Sequence, residues 1–85
     1  GYQALAGELE RIGESEEAEK LYIAAVRRFP DNPSAYLSVI QQMRSHGRSK
    51  QAISYASALR KVSPDYEGTD ALIMALTEES ARKAP

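Results

Sequence analysis

Shifted by 34 places, this chain falls onto itself. Tyr2 lands on Tyr36, Gly13 on Gly47, Ser15 on Ser49, Ala18 on Ala52 and Ala24 on Ala58. Pro30 lands on Pro64 and Asp31 on Asp65, with Leu5 on Val39 and Arg27 on Lys61 as conservative matches. A second shift puts Val39 on Ile73 and Ile40 on Met74. The recurring residues are small, apolar or turn-forming, the types that set packing distance and chain reversal. A period of this length means a stacked repeat, in which each unit buries its apolar face on its neighbour.

Local signals place two helices in each unit. A first helix is expected from about Tyr2 to Ile12, stopped by Gly13. Ser15 is expected to cap a second, with Glu16 and Glu17 in its first turn, where the helix dipole favours negative charge. That helix carries Ala18, Leu21, Tyr22, Ala25 and Phe29 at spacings of three and four. Pro30-Asp31-Asn32-Pro33 breaks the chain, with Asn32 as cap and Pro33 as first residue of a third helix running to His46. A fourth is expected from cap Ser49 to about Val62, and a fifth from about Asp70 to Ala81. No alternation of period two competes. The predicted class is all-α, five antiparallel helices in one domain. The units are expected at about 1–32 and 33–66, with a capping or partial-repeat helix over 67–85.

Among 85 residues there is no Cys and one His, so disulfides, Cys-ligated metals, thiol catalysis and a multi-His site within the chain are excluded. No apolar run approaches a membrane span, so no membrane insertion is expected. A Cys-free chain fits a reducing cytosol or a periplasm, and a soluble cytosolic location is the favoured expectation. The net charge of −1 speaks against bulk-charge binding of nucleic acid. The charge is unevenly spread. Residues 1–19 hold six Glu against Arg11, and residues 20–61 hold eight Lys and Arg against Asp31. Solvated faces and helix ends explain such a layout better than a basic partner site does.

Tyr2-x2-Leu5-Ala6, Gly13, Ala18-x3-Tyr22, Ala25 and Pro30 resemble one tetratricopeptide repeat. Tyr36-x2-Val39-Ile40, Gly47, Ala52-x3-Ala56, Leu59 and Pro64 resemble a second, more worn copy. Asp70-x2-Ile73-Met74 is similar to the start of a third that has lost its aromatic. Small residues at Ala6, Ala18 and Ala52 let antiparallel helices approach, and Leu5, Tyr22 and Tyr36 fill the space beside them. Ile40 stands where the family favours a small residue and Ala56 where it favours an aromatic, which reads as an exchange of volume.

The resemblance implies a right-handed superhelix whose first helices line a concave groove holding a peptide or helix of a partner protein. Carried over, the groove residues are Gln3, Gly7 and Arg11, then Leu37, Ser38, Gln41 and Arg44, then Ala71, Leu72 and Ala75. Glu10 and Ser45 fall on the same face. The family's Lys and Asn clamp for a C-terminal carboxylate maps onto Gln3, Gly7, Ser38, Gly68 and Leu72, which supply no ammonium, so that clamp is missing. Arg11 and Arg44 are candidates to orient a partner, or they pair with Glu10, Glu8 or solvent. The run Ala71-Leu72-Ile73-Met74-Ala75-Leu76 covers the whole circumference of a helix. It points to a longer parent chain, to self-association through residues 70–81, or to a groove wall.

No chemistry competes strongly. His46 would need a nucleophile and an orienting acid beside it for catalysis, and nothing singles out its sequence neighbours Ser45 and Ser49. Glu16, Glu17 and Glu19 suit a helix start better than a metal. Arg44, Arg48 and Lys50 lack a glycine-rich phosphate loop. The expectation is a scaffold or adaptor that is not an enzyme, with no cofactor, metal or nucleic acid. The alternatives are a docking or regulatory segment of a larger enzyme or secretion assembly, and an RNA-reading helical repeat.

Overall fold

The computed structural model describes residues 2–83; Gly1, Ala84 and Pro85, at the ends of the expected domain, lie outside the described residues. It is all-helical there, with α1 Tyr2–Arg11, α2 Ser15–Arg28, α3 Pro33–Ser45, α4 Ser49–Val62 and α5 Thr69–Lys83. Each helix packs on the next along the chain.

The sequence period reappears in the backbone. Gly13 and Gly47 have φ of 89° and 74°, a left-handed conformation open to glycine at little cost. Around Gly13, its own amide donates to the Glu10 carbonyl at 3.1 Å and that of Glu14 to Leu9 at 2.8 Å. Around Gly47 the bonds run from Gly47 to Arg44 at 3.1 Å and from Arg48 to Met43 at 2.8 Å. This paired termination satisfies the last carbonyls of α1 and α3. At the other ends, Phe29 donates to Ala25 and Ser63 to Leu59, both at 2.9 Å. The two helical pairs are thus built by the same hydrogen bonds, 34 residues apart.

These turns correct the capping expectation. Because the turn at Gly13 is complete by Glu14, Ser15 is already the first helical residue, and Glu14 precedes it without a side-chain cap. Arg48 and Ser49 repeat the arrangement, and Ser49 is buried instead of capping. Asn32 does cap: its side chain accepts from the Ser34 amide at 3.0 Å, with Pro33 next. One shift later, Tyr66 and Glu67 replace Asn32 and Pro33. That turn has Gly68 at φ 88° instead, and α5 starts at Thr69.

The core runs along the stack. Ala6, Ala18, Ala52 and Ala56 have no exposed surface, nor do Val39, Leu59 and Leu76. The alanines allow close helix approach, and each fully buried Leu contributes about 1.5–3 kcal/mol. Ile40 and Ala56 are both buried in this cluster, as are their counterparts Ala6 and Tyr22. Leu5 and Phe29 depart from expectation. They are 56% and 48% exposed, because nothing among the described residues packs over the start of α1.

Candidate functional site

Side-chain bridges tie the first helices of successive pairs together. Gln3 on α1 donates from Nε2 to the Ser38 hydroxyl at 2.7 Å and to the Ser34 carbonyl at 2.9 Å. Farther along, Glu10 of α1 lies 3.4 Å from Nε2 of His46, the residue that closes α3. Arg44 of α3 meets Glu79 of α5 through two nitrogens, with Nε to Oε1 at 3.0 Å. This hydrogen-bonded carboxylate raises the Arg44 pKa above its ordinary value. The helices α1, α3 and α5 therefore share a face, in that order.

The residues expected on the groove divide by what they do there. Gln3 and Ser38 are half-buried and hydrogen-bonded to each other. Arg11 is exposed and pairs with Glu8 on its own helix, which holds the Glu8 carboxyl below its usual range. Arg44 is committed to Glu79, a partner the sequence did not suggest because the two lie 35 residues apart. Gly7, Gln41 and Ala71 are exposed. Leu37, Leu72 and Ala75 are half-buried, and Leu37 and Leu72 pack against the core cluster.

Between α1 and α3 lies a notch of about 280 Å³. Glu10, Ser38, Gln41 and Ser45 line it, with Tyr22 and Gln42. Tyr22 and Gln42 are additions to the sequence reading. Burial, and secondarily the Glu10 charge, pushes the Tyr22 pKa up. Gln42 is 4% exposed; its Nε2 reaches the Ser15 carbonyl at 3.5 Å, and its buried Oε1 has no hydrogen-bond partner. A helical period places Gln42 one position past Gln41, turned inward, and that phase was available from the stripe Val39, Ile40, Met43.

The remaining candidates are occupied by structural pairings. His46 faces Glu10 without a nucleophile in the contact. Arg48 pairs with Glu19 across the turn, away from the Arg44–Glu79 pair, so these two arginines do not converge on one anion. No group of three His, Cys, Asp or Glu suited to a metal occurs among the described residues. No helix there is long and apolar enough to cross a membrane.

A second concavity, of about 650 Å³, opens at the start of α1, beside α2 and the first turn of α3, with Gln3, Asn32 and Ala35 in its lining. Tyr2, Leu5, Leu21, Ala25 and Phe29 line it, and the Tyr2 and Phe29 rings meet edge-on with centroids 6.4 Å apart. Sequence reasoning assigned Leu5, Leu21 and Phe29 to packing, and did not anticipate an open cleft.

A two-helix unit repeated in tandem defines a helical-repeat scaffold. Residues 1–41, which span α1, α2 and most of α3, match the family model of the tetratricopeptide repeat. Tetratricopeptide repeats generally mediate protein–protein interaction. No curated protein and no solved structure matches the chain significantly.

Proposed function

We propose that the chain is a non-catalytic protein-interaction module that holds a peptide or helix of a partner on the α1–α3–α5 face. The units are 1–32 and 33–66, closed by the helix in 67–85. One observation carries the reading: the bridges Gln3–Ser38, Glu10–His46 and Arg44–Glu79 fix three helices side by side before any partner arrives. A surface ordered in advance loses less entropy on binding.

The groove offers hydrogen bonds from the exposed Gln41 amide and apolar contact from Leu72, Ala75 and Ala71. That combination suits a segment with one apolar anchor and free backbone groups. Its two arginines are already engaged with Glu8 and Glu79, which argues for a protein partner over a phosphate backbone. A docking role inside a larger enzyme or assembly would use the same face.

The test is selection of peptides from a displayed random library on the 85-residue chain. Selected peptides are then measured against Gly7→Tyr and Gln41→Ala. Binding should weaken about tenfold or more while thermal melting does not fall. Peptides that ignore both substitutions place the site elsewhere. Salt-sensitive binding of single-stranded RNA, lost on the same substitutions, would favour the nucleic-acid alternative.

A further inference from the structure

The notch between α1 and α3 offers mainly hydrogen-bond acceptors. Glu10, Tyr22, Ser38, Gln41, Gln42 and Ser45 line it, with no Lys or Arg among them. What the two serines present is decided by where their protons go. Ser45 donates its hydroxyl to the Gln42 carbonyl at 2.9 Å, and Ser38 donates to the Ser34 carbonyl at 3.1 Å. With each proton spent, the hydroxyl oxygens keep only lone pairs for a visitor. Gln42 is 4% exposed, and its Oε1 is buried without a donor. A buried acceptor in that state is costly, so this wall favours a visitor that brings N–H groups.

Glu10 gives the notch its sign. Its Oε1 lies 3.4 Å from Nε2 of His46, at the long end of a hydrogen bond, and an imidazole offsets a carboxylate charge only when protonated. Oε2 of Glu10 takes part in no hydrogen bond among the described residues. Burial pushes the Tyr22 pKa up and the Glu10 charge pushes it further, so that charge is felt across the notch. The two arginines of the same face are engaged elsewhere, Arg11 with Glu8 and Arg44 with Glu79.

A negative, acceptor-lined hollow of about 280 Å³ suits a compact cation. Lysine fits it better than arginine. An ammonium has three donors pointing apart, and the acceptors come from three helices: Glu10 of α1, Tyr22 of α2, and Ser38 and Ser45 of α3. A guanidinium gains its advantage from a fork onto two oxygens, and His46 already stands beside one of the Glu10 oxygens.

We infer that this notch takes the side-chain ammonium of a lysine carried by the partner segment, with Glu10 as its counter-charge and the Ser38 and Ser45 oxygens as acceptors. The inference rests on the reading of the α1–α3–α5 face as a binding surface, and it names the chemistry that the face selects.

The first probe is Nα-acetyl-lysine methylamide, titrated into the 85-residue chain at low salt while amide chemical shifts are followed. Saturable shifts at Ser38, Gln41, Gln42 and Ser45, with a millimolar Kd, are expected. Nα-acetyl-norleucine methylamide has the stem without the ammonium and should leave those amides unmoved. Glu10→Gln keeps a polar side chain and removes the charge. It should weaken the lysine probe about fivefold or more, with the rest of the amide spectrum unchanged. No saturable shift, a norleucine probe that matches lysine, or an arginine probe that binds as tightly overturns the inference. The second probe, a peptide selected on the chain, separates the notch from the wider face. Peptides that are weakened by Gly7→Tyr but keep their affinity when their lysines become norleucine leave the face standing and overturn the lysine notch. Peptides that ignore both changes overturn the two readings together.

Discussion

Gln3 of α1 donates to the hydroxyl of Ser38 on α3 at 2.7 Å, spanning 35 residues of sequence and joining two helices that are not neighbours along the chain. Ser38 passes the bond on, donating to the Ser34 carbonyl at 3.1 Å. The pair fixes the spacing of the first helices at one end of the shared face. Breaking it should cost stability in a way that single substitutions share. Gln3→Ala and Ser38→Ala, alone and together, should give a coupling of about 0.5–1.5 kcal/mol in urea unfolding. Full additivity would mean that the bond does not hold the face.

The two glycines of α1 and its turn should respond oppositely to a methyl group. Gly7 sits within a helix, and a Cβ there meets nothing within 4 Å. Gly7→Ala should stabilise by about 0.5–1 kcal/mol, the helix-propensity difference. Gly13 has equal room but a φ of +89°, so Gly13→Ala should destabilise by about 1–2 kcal/mol. Urea midpoints of the two variants check the sign of each.

Ile40 and Ala56 occupy the positions of Ala6 and Tyr22 one unit on, and all four are buried. If volume is exchanged between them, Ile40→Ala alone should cost about 2–5 kcal/mol through a cavity. Ala56→Tyr alone should cost about 1–3 kcal/mol or more through overpacking. The double substitution should be markedly less harmful than their sum. Calorimetric melting of the three variants reads the coupling directly, and simple additivity would remove the volume-exchange reading.

Tyr22 gives a pH signature. Its pKa is raised by burial first and by the Glu10 charge second. The folded state therefore keeps a proton that the unfolded chain releases. Its contribution to stability is full below the ordinary value of 10.0 and is lost as pH rises past it. Glu10→Gln should bring the ionisation midpoint of Tyr22 down only part of the way, since desolvation remains. A complete return to the ordinary value in a spectroscopic titration would make charge, not burial, the main cause.

How much of this was legible beforehand follows from which residues carry the signal. The helices and their turns were readable because Gly13, Gly47 and the Pro30–Pro33 segment act locally, through φ and missing amides. Asn32 as a cap was readable for the same reason. Ser15 and Ser49 were misread as caps because the preceding glycine turn, not a side chain, starts the next helix. The pairings Arg44–Glu79, Arg48–Glu19 and Glu10–His46 were out of reach, since each depends on where separate helices end up. Leu5 looks like core in the sequence because its counterpart Val39 is core, and Phe29 because it continues the apolar spacing of α2. Only the structure shows which neighbour is missing over them.

Where a partner polypeptide sits decides the role of the α1–α3–α5 face. Amide chemical-shift mapping of the 85-residue chain with a selected peptide answers this most directly. Shifts concentrated at Gly7, Ser38, Gln41 and Ala71, with Lys20, Ser54 and Arg60 of α2 and α4 unmoved, are the predicted result. Shifts clustered on α2 and α4, with Gln41 and Gly7 unmoved, would contradict it.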